Sequence, residues 1–281
     1  MEPFVPHHAA DSPCGAAAAG LPLDADAIRR SLSPEAADRI ALRLLAEVDS
    51  TNSELQRRAA QDPGEVLACV AERQQQGRGR RGRRWIQPPG GGIALSMLRR
   101  FDAPLADLAG LSLAAGVAVA RALESCGAPA LGLKWPNDIV HADRKLGGIL
   151  VELGGAAGGP CHAIVGVGIN CRLGAAVGRI DQPCTDLAAL GARPSHERLV
   201  ARVLEELLYM FDGFSVAGFG AFADAFAQRD VLAGRELVVD PGPRQRIGTG
   251  RGVDAGGGLR VGFAEGEVVF EAAEVSVRAR A

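Results

Sequence analysis

A stretch of glycine, arginine and proline at positions 77–92 constrains the fold of this 281-residue chain more than any other feature. It reads Gly-Arg-Gly-Arg-Arg-Gly-Arg-Arg-Trp-Ile-Gln-Pro-Pro-Gly-Gly-Gly and lies between two apolar runs that are predicted to be strands. Its first six residues fit the Gly-x-Gly-x-x-Gly template of dinucleotide-binding folds, but that template requires a helix to open at the last glycines. The prolines and glycines that follow exclude a helix. The stretch is therefore predicted to be a loop in some other fold.

The residues of this loop are consistent with three interpretations. Its glycines would let the backbone fold closely over a ligand while its arginines offer paired donors to phosphate. It is equally consistent with a solvated basic loop or with an RGG-like nucleic-acid contact. The net charge of −2 argues against a dedicated nucleic-acid binder, because such proteins usually carry a basic excess.

Lysine is nearly absent from the chain, since Lys134 and Lys145 are the only two among 31 basic residues. They lie close together, in Lys-Trp-Pro-Asn-Asp at 134–138 and Arg-Lys-Leu-Gly-Gly at 144–148. A lysine ammonium can place a point charge on a carboxylate or phosphate oxygen, whereas arginine presents a planar fork. The two lysines indicate chemistry on such an oxygen, and compositional bias is the alternative explanation.

The apolar patterns predict an α+β chain. Strands are expected at 41–48, 66–71, 93–98, 139–140, 146–153 and 163–169, and amphipathic helices at 51–59, 108–123, 200–211 and 219–229. Glycine-punctuated short strands near the C-terminus are typical of a small β-barrel. The predicted organisation is a poorly ordered extension over 1–38 with a short helix near Ile28, a main domain over 39–230 and a barrel over 231–281.

The six cysteines show no Cys-x-x-Cys spacing, which predicts reduced thiols in a cytoplasm and neither a disulfide framework nor a zinc site. No signal peptide or membrane span is expected.

Six motifs in one order closely resemble the catalytic domain of biotin protein ligases. They are Asp-Ser-Thr-Asn at 49–52, Glu72 to Trp85, Leu-Ser-Met at 95–97, Lys-Trp-Pro-Asn-Asp at 134–138, Arg144 to Glu152, and Gly-Val-Gly-Ile-Asn at 166–170. The resemblance implies a mixed-sheet fold of the biotin/lipoate ligase and class II aminoacyl-tRNA synthetase type, with a C-terminal SH3-like barrel. Residues 1–38 show no winged helix-turn-helix pattern, so the monofunctional type without DNA binding is expected.

The resemblance also implies a reaction. Biotin and Mg-ATP would form biotinyl-5′-AMP, and a lysine of a biotin carboxyl carrier protein, an acetyl-CoA carboxylase subunit, would then take the biotin. The alternatives are a lipoate or octanoate ligase or transferase of the same fold, and a non-catalytic ligand- or RNA-binding relative. A homodimer is compatible with this fold.

Roles for single residues follow from the same resemblance. Asp138 would orient the acceptor lysine or hold Mg²⁺. The residues expected to be catalytic are Lys145, Arg80, Asp138 and Arg78. Those expected to bind biotin are Ser50, Thr51, Asn52, Gln74, Arg78, Gly79, Arg80, Trp85, Lys145 and Gly148. Those expected to bind ATP are Arg80, Arg83, Lys134, Asn137 and Asn170.

Overall fold

Two β-sheets, one of seven strands and one of five, organise the chain. The structure is a computed structural model that describes residues 22–59, 61, 66–155, 160–240, 245–271 and 276–279. The strands within these ranges are β1 Ala41–Val48, β2 Val66–Gln74, β3 Gly92–Phe101, β4 Gly132–Lys134, β5 Asp138–His141, β6 Arg144–Gly155, β7 Cys161–Asn170, β8 Glu236–Asp240, β9 Arg246–Val253, β10 Leu259–Phe263, β11 Gly266–Phe270 and β12 Ser276–Ala279. The α-helices are α1 Ala25–Ser31, α2 Pro34–Arg39, α3 Thr51–Ala59, α4 Leu111–Ser125, α5 His196–Ala217 and α6 Ala223–Ala227.

The larger sheet has the strand order β1-β2-β3-β7-β6-β5-β4. The pair β1 and β2 is parallel, and the remaining neighbours are antiparallel. The predicted mixed sheet of an α+β fold is therefore confirmed. Its centre is the antiparallel pair of β3 and β7, in which Ser96 lies opposite Gly166.

The two faces of this sheet differ in how they are covered. Ile93, Leu95 and Met97 alternate along β3 and belong to the main core, where α4 and α5 pack. The opposite face holds a small cluster beneath α3, which includes Leu98 and Ile164. Because α3 is only nine residues long, its first turn covers Ser96, but the part of this face around Gly168 is covered by the Trp85 indole and not by a helix.

One segment of the described chain, Leu105–Ser125, is long and apolar enough to cross a membrane by length and composition alone. Its α4 portion lies inside the core, where Leu111, Val117 and Leu123 are at most 1% exposed. The segment thus has the burial of a core helix.

The cysteines of the described residues are free, and Cys14 lies outside them. Burial raises the pKa of the Cys69 and Cys171 thiols to about 12, which keeps both protonated at neutral pH. The prediction that the cysteines are reduced thiols stays a prediction.

The five-stranded antiparallel sheet has the order β11-β10-β9-β8-β12 and starts at Glu236, close to the boundary expected near Val231. Hydrogen bonds attach it to the Lys-Trp-Pro-Asn-Asp segment. The Trp135 indole Nε1 donates to the Gly257 carbonyl at 3.0 Å, and the Val231 N–H donates to the Leu133 carbonyl at 3.1 Å. The C-terminal sheet is thereby held beside β4.

The expectation of poor order over residues 1–38 is wrong for the part that forms α1 and α2. The predicted helix near Ile28 is α1, and Ile28 is completely buried against the main core. Ser33 caps α2 with its side chain, and its N–H donates to Glu205 on α5. Arg39 forms two hydrogen bonds with Asp212 at 2.7 and 2.8 Å. Residues 1–21 lie outside the described residues.

Substitution of Ile28 by alanine tests this docking. Removing a fully buried aliphatic side chain is expected to lower the free energy of unfolding by about 2–5 kcal/mol, because it leaves a cavity. Arg30→Ala is the control, since Arg30 is an exposed residue on the same helix and should change stability by less than about 0.5 kcal/mol. Urea denaturation of both variants provides the measurement, and equal stability would mean that α1 does not dock.

Candidate active site

A cleft of about 610 Å³ lies on the uncovered face of the seven-stranded sheet. The arginine loop at 77–85 covers one side, and Asp240 and Arg278 of the C-terminal sheet approach from another. The cleft brings together almost every residue that the sequence predicted for a site. Those that line it are Ser50, Thr51, Asn52, Gln74, Arg78, Gly79, Arg80, Arg83, Trp85, Lys134, Asn137, Asp138, Lys145 and Gly148.

The floor of the cleft consists of glycines on β6 and β7. A Cβ on Gly168 would stand 2.4 Å from the Trp85 indole, and one on Gly166 would stand 2.3 Å from Asn52 Oδ1. Real Cβ atoms do not approach other heavy atoms so closely. The missing side chains therefore let Trp85 and Asn52 lie directly on the sheet.

A hydrogen-bond chain connects the residues expected to hold the biotin head group. The Thr51 N–H donates to Gln74 Oε1 at 2.9 Å, and Thr51 Oγ1 lies 2.7 Å from Ser96 Oγ. Ser96 Oγ donates to Asn52 Oδ1 at 2.5 Å. Thr51, Asn52 and Ser96 are at most 3% exposed. Their polar groups are thus fixed in place by one another.

The position of Thr51 and Asn52 is set by the local sequence, because α3 starts at Thr51 shortly after β1 ends at Val48. Asp49 accepts a hydrogen bond from the Ser50 N–H at 2.7 Å and pairs with Arg57 at 2.8 and 2.9 Å. The Arg57 guanidinium lowers the pKa of the Asp49 carboxyl to about 2. The carboxylate at the helix start therefore stays charged and holds the first turn in position.

The arginine loop forms a short hairpin in the structure. The Gly79 N–H donates to the Arg83 carbonyl at 2.7 Å, and the Trp85 N–H donates to the Gly77 carbonyl at 2.8 Å. At its tip, Arg81 has φ 57° and Gly82 has φ 71°, which turns the backbone through the left-handed region. The hairpin aims Trp85 at the glycine floor.

Two arginines of the hairpin point toward the rest of the cleft. Arg78 Nη2 donates to Glu152 Oε2 at 2.8 Å, and Arg80 Nη1 donates to Asn137 Oδ1 at 3.5 Å. Burial lowers the pKa of the Arg80 guanidinium, although arginine remains charged at neutral pH. A half-buried cation of this kind favours an anionic partner.

Lys145 lies at the centre of the cleft. Its Nζ is 2.6 Å from Asp138 Oδ1 and 5.8 Å from the centroid of the Trp85 ring. The backbone of Lys145 pairs with the segment 183–185. The Lys145 N–H donates to the Pro183 carbonyl and the Thr185 N–H donates to the Lys145 carbonyl, both at 2.9 Å. The ammonium is thus fixed between a carboxylate and an aromatic face.

The Lys-Trp-Pro-Asn-Asp segment forms the turn from β4 to β5 and contains a cis peptide bond between Trp135 and Pro136. Asn137 is fixed by the neighbouring strand, because its Nδ2 donates to the Ile149 carbonyl at 2.8 Å. Lys134 lines the same cleft from β4. The two lysines therefore face one cavity from two different strands.

Asn170 differs from the other predicted site residues, because it does not line the cleft. It is 4% exposed, and its Nδ2 donates to the carbonyls of Lys145 and Thr185 at 3.3 and 3.1 Å. This arrangement supports the backbone of Lys145. The predicted adenine contact of Asn170 stays a prediction.

Comparison with known proteins agrees with this geometry. Residues 44–170 match the model of the biotin/lipoate A/B protein ligase family, a span that includes every predicted site residue. The chain is 34% identical over 260 residues to the biotin–[acetyl-CoA-carboxylase] ligase of Mycobacterium tuberculosis, covering 90% of this chain and 95% of that protein. The chain belongs to the biotin/lipoate A/B protein ligase family.

Other members of the family are similar over most of their length. The bifunctional ligase/repressor BirA of Salmonella typhimurium is 36% identical over 241 residues, which cover 84% of this chain and 72% of that protein. Among solved structures, the biotin protein ligase from Aquifex aeolicus in complex with biotin and ATP matches with a TM-score of 0.71 and 27% identity. It aligns with 85% of this chain and 99% of its own.

Within the described residues, no group of three or more His, Cys, Asp or Glu side chains is placed to hold a metal ion. Asp138, the predicted ligand, already has Lys145 at its Oδ1. Magnesium in nucleotide sites is commonly held by substrate phosphates with one or two carboxylates. The residues present fit a magnesium ion that arrives with ATP better than one that the protein holds alone.

Sequence reasoning missed the contributions of Ser96, Glu152 and Gly168 to the site. Ser96 and Glu152 are polar residues within otherwise apolar strands, which was an available signal. Gly168 shows its role only through the strand register that brings it beneath Trp85. These residues assign no chemistry by themselves, but they shape the cleft.

Gly168→Ala tests the glycine floor. The added methyl group would overlap the Trp85 indole, so Trp85 should be displaced toward solvent and the free energy of unfolding should fall by about 1–3 kcal/mol. Gly178→Ala is the control, because nothing lies within 4 Å of a Cβ there. Tryptophan emission should move to longer wavelength only in the Gly168 variant, and unchanged emission would contradict the overlap.

Proposed function

We propose that this chain is an ATP-dependent biotin protein ligase, which forms biotinyl-5′-AMP and then transfers biotin to a lysine of an acceptor protein. The observation that carries the proposal is the position of Lys145, whose ammonium lies between Asp138 and Trp85 above the glycine floor. The names of similar proteins, including a ligase solved with biotin and ATP, support it.

In the first step a biotin carboxylate oxygen attacks the α-phosphorus of ATP. A new oxygen–phosphorus bond forms while the bond from that phosphorus to the bridging oxygen breaks, and pyrophosphate leaves with the electron pair. Two anions must meet for this to happen, so the site has to supply fixed positive charge. Lys145, Arg78 and Arg80 are the cations that we assign to this role, with Arg83 and Lys134 directed to the triphosphate.

The biotin head group is assigned to the hydrogen-bonded cluster of Ser50, Thr51, Asn52 and Gln74, with Trp85, Gly79 and Gly148 forming the adjacent wall. Ser50, Thr51 and Asn52 are buried and polar, whereas the wall is aromatic and bare, which suits the polar head of a small ligand. Asn137 and Arg80 lie together on the side assigned to ATP.

In the second step the acceptor amine attacks the acyl carbon, the bond from that carbon to the phosphate oxygen breaks, and AMP leaves. The amine must lose a proton to become an amide nitrogen, and this proton passes to solvent. Asp138 is the carboxylate that we assign to orient the incoming amine, because it lies beside Lys145 at the expected position of the acyl phosphate. Magnesium, bound with ATP, would offset the charge of the phosphates.

The acceptor that we propose is a biotin carboxyl carrier protein of a carboxylase, and the proposed compartment is the cytoplasm. The free cysteines of the described residues are compatible with that compartment. The absence of DNA binding and the formation of a homodimer both stay predictions, and light scattering of the purified protein would settle the second.

The first test is the reaction itself. Purified protein incubated with biotin, ATP, magnesium and a biotin carboxyl carrier domain should transfer label to that domain, detected by blotting for biotin. Parallel reactions with lipoate and with octanoate address the alternative substrates of the same family. Transfer of lipoate or octanoate without transfer of biotin would replace the proposal by that alternative.

Lys145→Arg tests the central cation. The wider guanidinium cannot reproduce a point contact beside Gly148, so adenylate formation should fall at least tenfold, about 1.4 kcal/mol of barrier. Pyrophosphate release in the presence of biotin and ATP measures this step. Arg260→Lys, a substitution within an exposed ion pair of β10, is the control and should keep the normal rate. A normal rate in Lys145→Arg would remove the special role of this lysine.

A further inference from the structure

Glu152, on β6 at the rim of the cleft, connects two parts of the site that are distant in sequence. Its Oε2 accepts a hydrogen bond from Asn52 Nδ2 at 2.7 Å and another from Arg78 Nη2 at 2.8 Å. Asn52 belongs to the buried head-group cluster, and Arg78 belongs to the arginine loop. One carboxylate oxygen therefore holds both elements at once.

The charge of Glu152 also fixes the orientation of the Asn52 amide. A carboxylate only accepts hydrogen bonds, so the amide must turn its nitrogen toward Glu152 and its oxygen toward Ser96. Ser96 Oγ, 2.5 Å from that oxygen, must then donate its single hydrogen to it.

The same logic extends one residue further, to Thr51. Because the Ser96 hydrogen is committed to Asn52, the single hydrogen of Thr51 Oγ1 is left for its two neighbours, Ser96 Oγ at 2.7 Å and Gln74 Oε1 at 3.2 Å. The lone pairs of Thr51 Oγ1 are then left to accept from a ligand. A ligand with N–H groups in its head, such as a cyclic urea, suits this polarity.

We infer that Glu152 is a positioning residue that couples closure of the arginine loop to the hydrogen-bond orientation of the head-group cluster. The inference rests on the proposed function for the identity of the ligand, but its geometry is independent of it. The side chains of Glu152 and Arg78 are 31% and 44% exposed. A contact of this exposure is weak enough to open, as a loop that admits ligands requires.

Glu152→Gln is the sharpest variant, because it keeps the size of the side chain and removes the charge. Neutral hydrogen bonds are roughly half as strong as charge-assisted ones, and a glutamine amide can turn either end toward Asn52. The loop should open more often, and the orientation of the cluster should no longer be unique. Glu152→Asp keeps the charge but is one methylene shorter, so an intermediate effect is expected.

Two measurements report separately on the opening of the arginine loop and on ligand binding by the head-group cluster. Trypsin cleavage after Arg80, Arg81, Arg83 or Arg84, without added ligands, should accelerate at least about fivefold in Glu152→Gln. The KM for biotin should rise about tenfold, while kcat at saturating biotin changes by less than about twofold, because uniform binding is lost rather than transition-state stabilisation. Glu206→Gln is the matched control, since it removes a comparable ion pair with Arg202 on α5, away from the cleft.

The results separate this inference from the proposed function. The cleavage assay needs no ligase activity, so a protein that transfers no biotin would overturn the function and still test the loop contact. Cleavage at the normal rate in a folded Glu152→Gln protein overturns the inference, and so does faster cleavage with an unchanged KM for biotin. If Glu152→Gln does not fold, Arg78→Gln must give the same faster cleavage at the remaining arginines for the inference to stand.

Discussion

The close approach of Trp85 and Asn52 to bare backbone is the constraint on which the site depends. Gly148 and Gly168 lie opposite each other on β6 and β7, so the sheet has no side chains at this pair of positions. Any larger residue at 166 or 168 would occupy the space that Asn52 and Trp85 now fill. Antiparallel sheets commonly pack one face on the core and leave the other to solvent, whereas this one covers part of its second face with the arginine loop.

Because the cleft takes up part of one face of the sheet, the large hydrophobic core lies on the other face. The α4 and α5 helices pack on that face and contribute many residues to the large apolar core, and α1 extends it through Ile28. Hydrophobic burial on one face thus provides a rigid platform on which a polar cleft can be maintained. The hydrogen-bonded cluster around Ser96 stands directly on this platform, because Ser96 and its apolar neighbours alternate along the same strand.

Local patterns predicted those parts of the molecule whose signals are local. The alternation in β3 predicted that strand, and the family resemblance carried by the motif order implied a mixed sheet and a set of site residues of which all but Asn170 line the cleft. Ile28 was placed in a poorly ordered extension, because its docking depends on α5 contacts such as the Ser33–Glu205 hydrogen bond, which spans 172 positions. The helix expected over 219–229 is shorter, since a 3-10 turn occupies Gly218–Phe222 before α6. The hydrogen bonds of Asn170 could not be predicted either, since its partners come from strand register and from the segment after β7.

The pairing of charges within the cleft connects the two proposed steps. Lys145 and Arg78 are cations assigned to an anionic reaction, yet in this structure each has a carboxylate partner, Asp138 and Glu152. These pairs reduce the mutual repulsion of a cluster of positive charge that would otherwise be costly to hold in a cleft. A ligand carboxylate or phosphate that binds Lys145 competes directly with Asp138, because the ligand and Asp138 are both anions that pair with the same ammonium. Formation of the acyl phosphate would therefore weaken the hold of Lys145 on Asp138 at the moment when an acceptor amine needs a carboxylate. A single ion pair can in this way order the two half-reactions, with the product of the first preparing the group that serves the second.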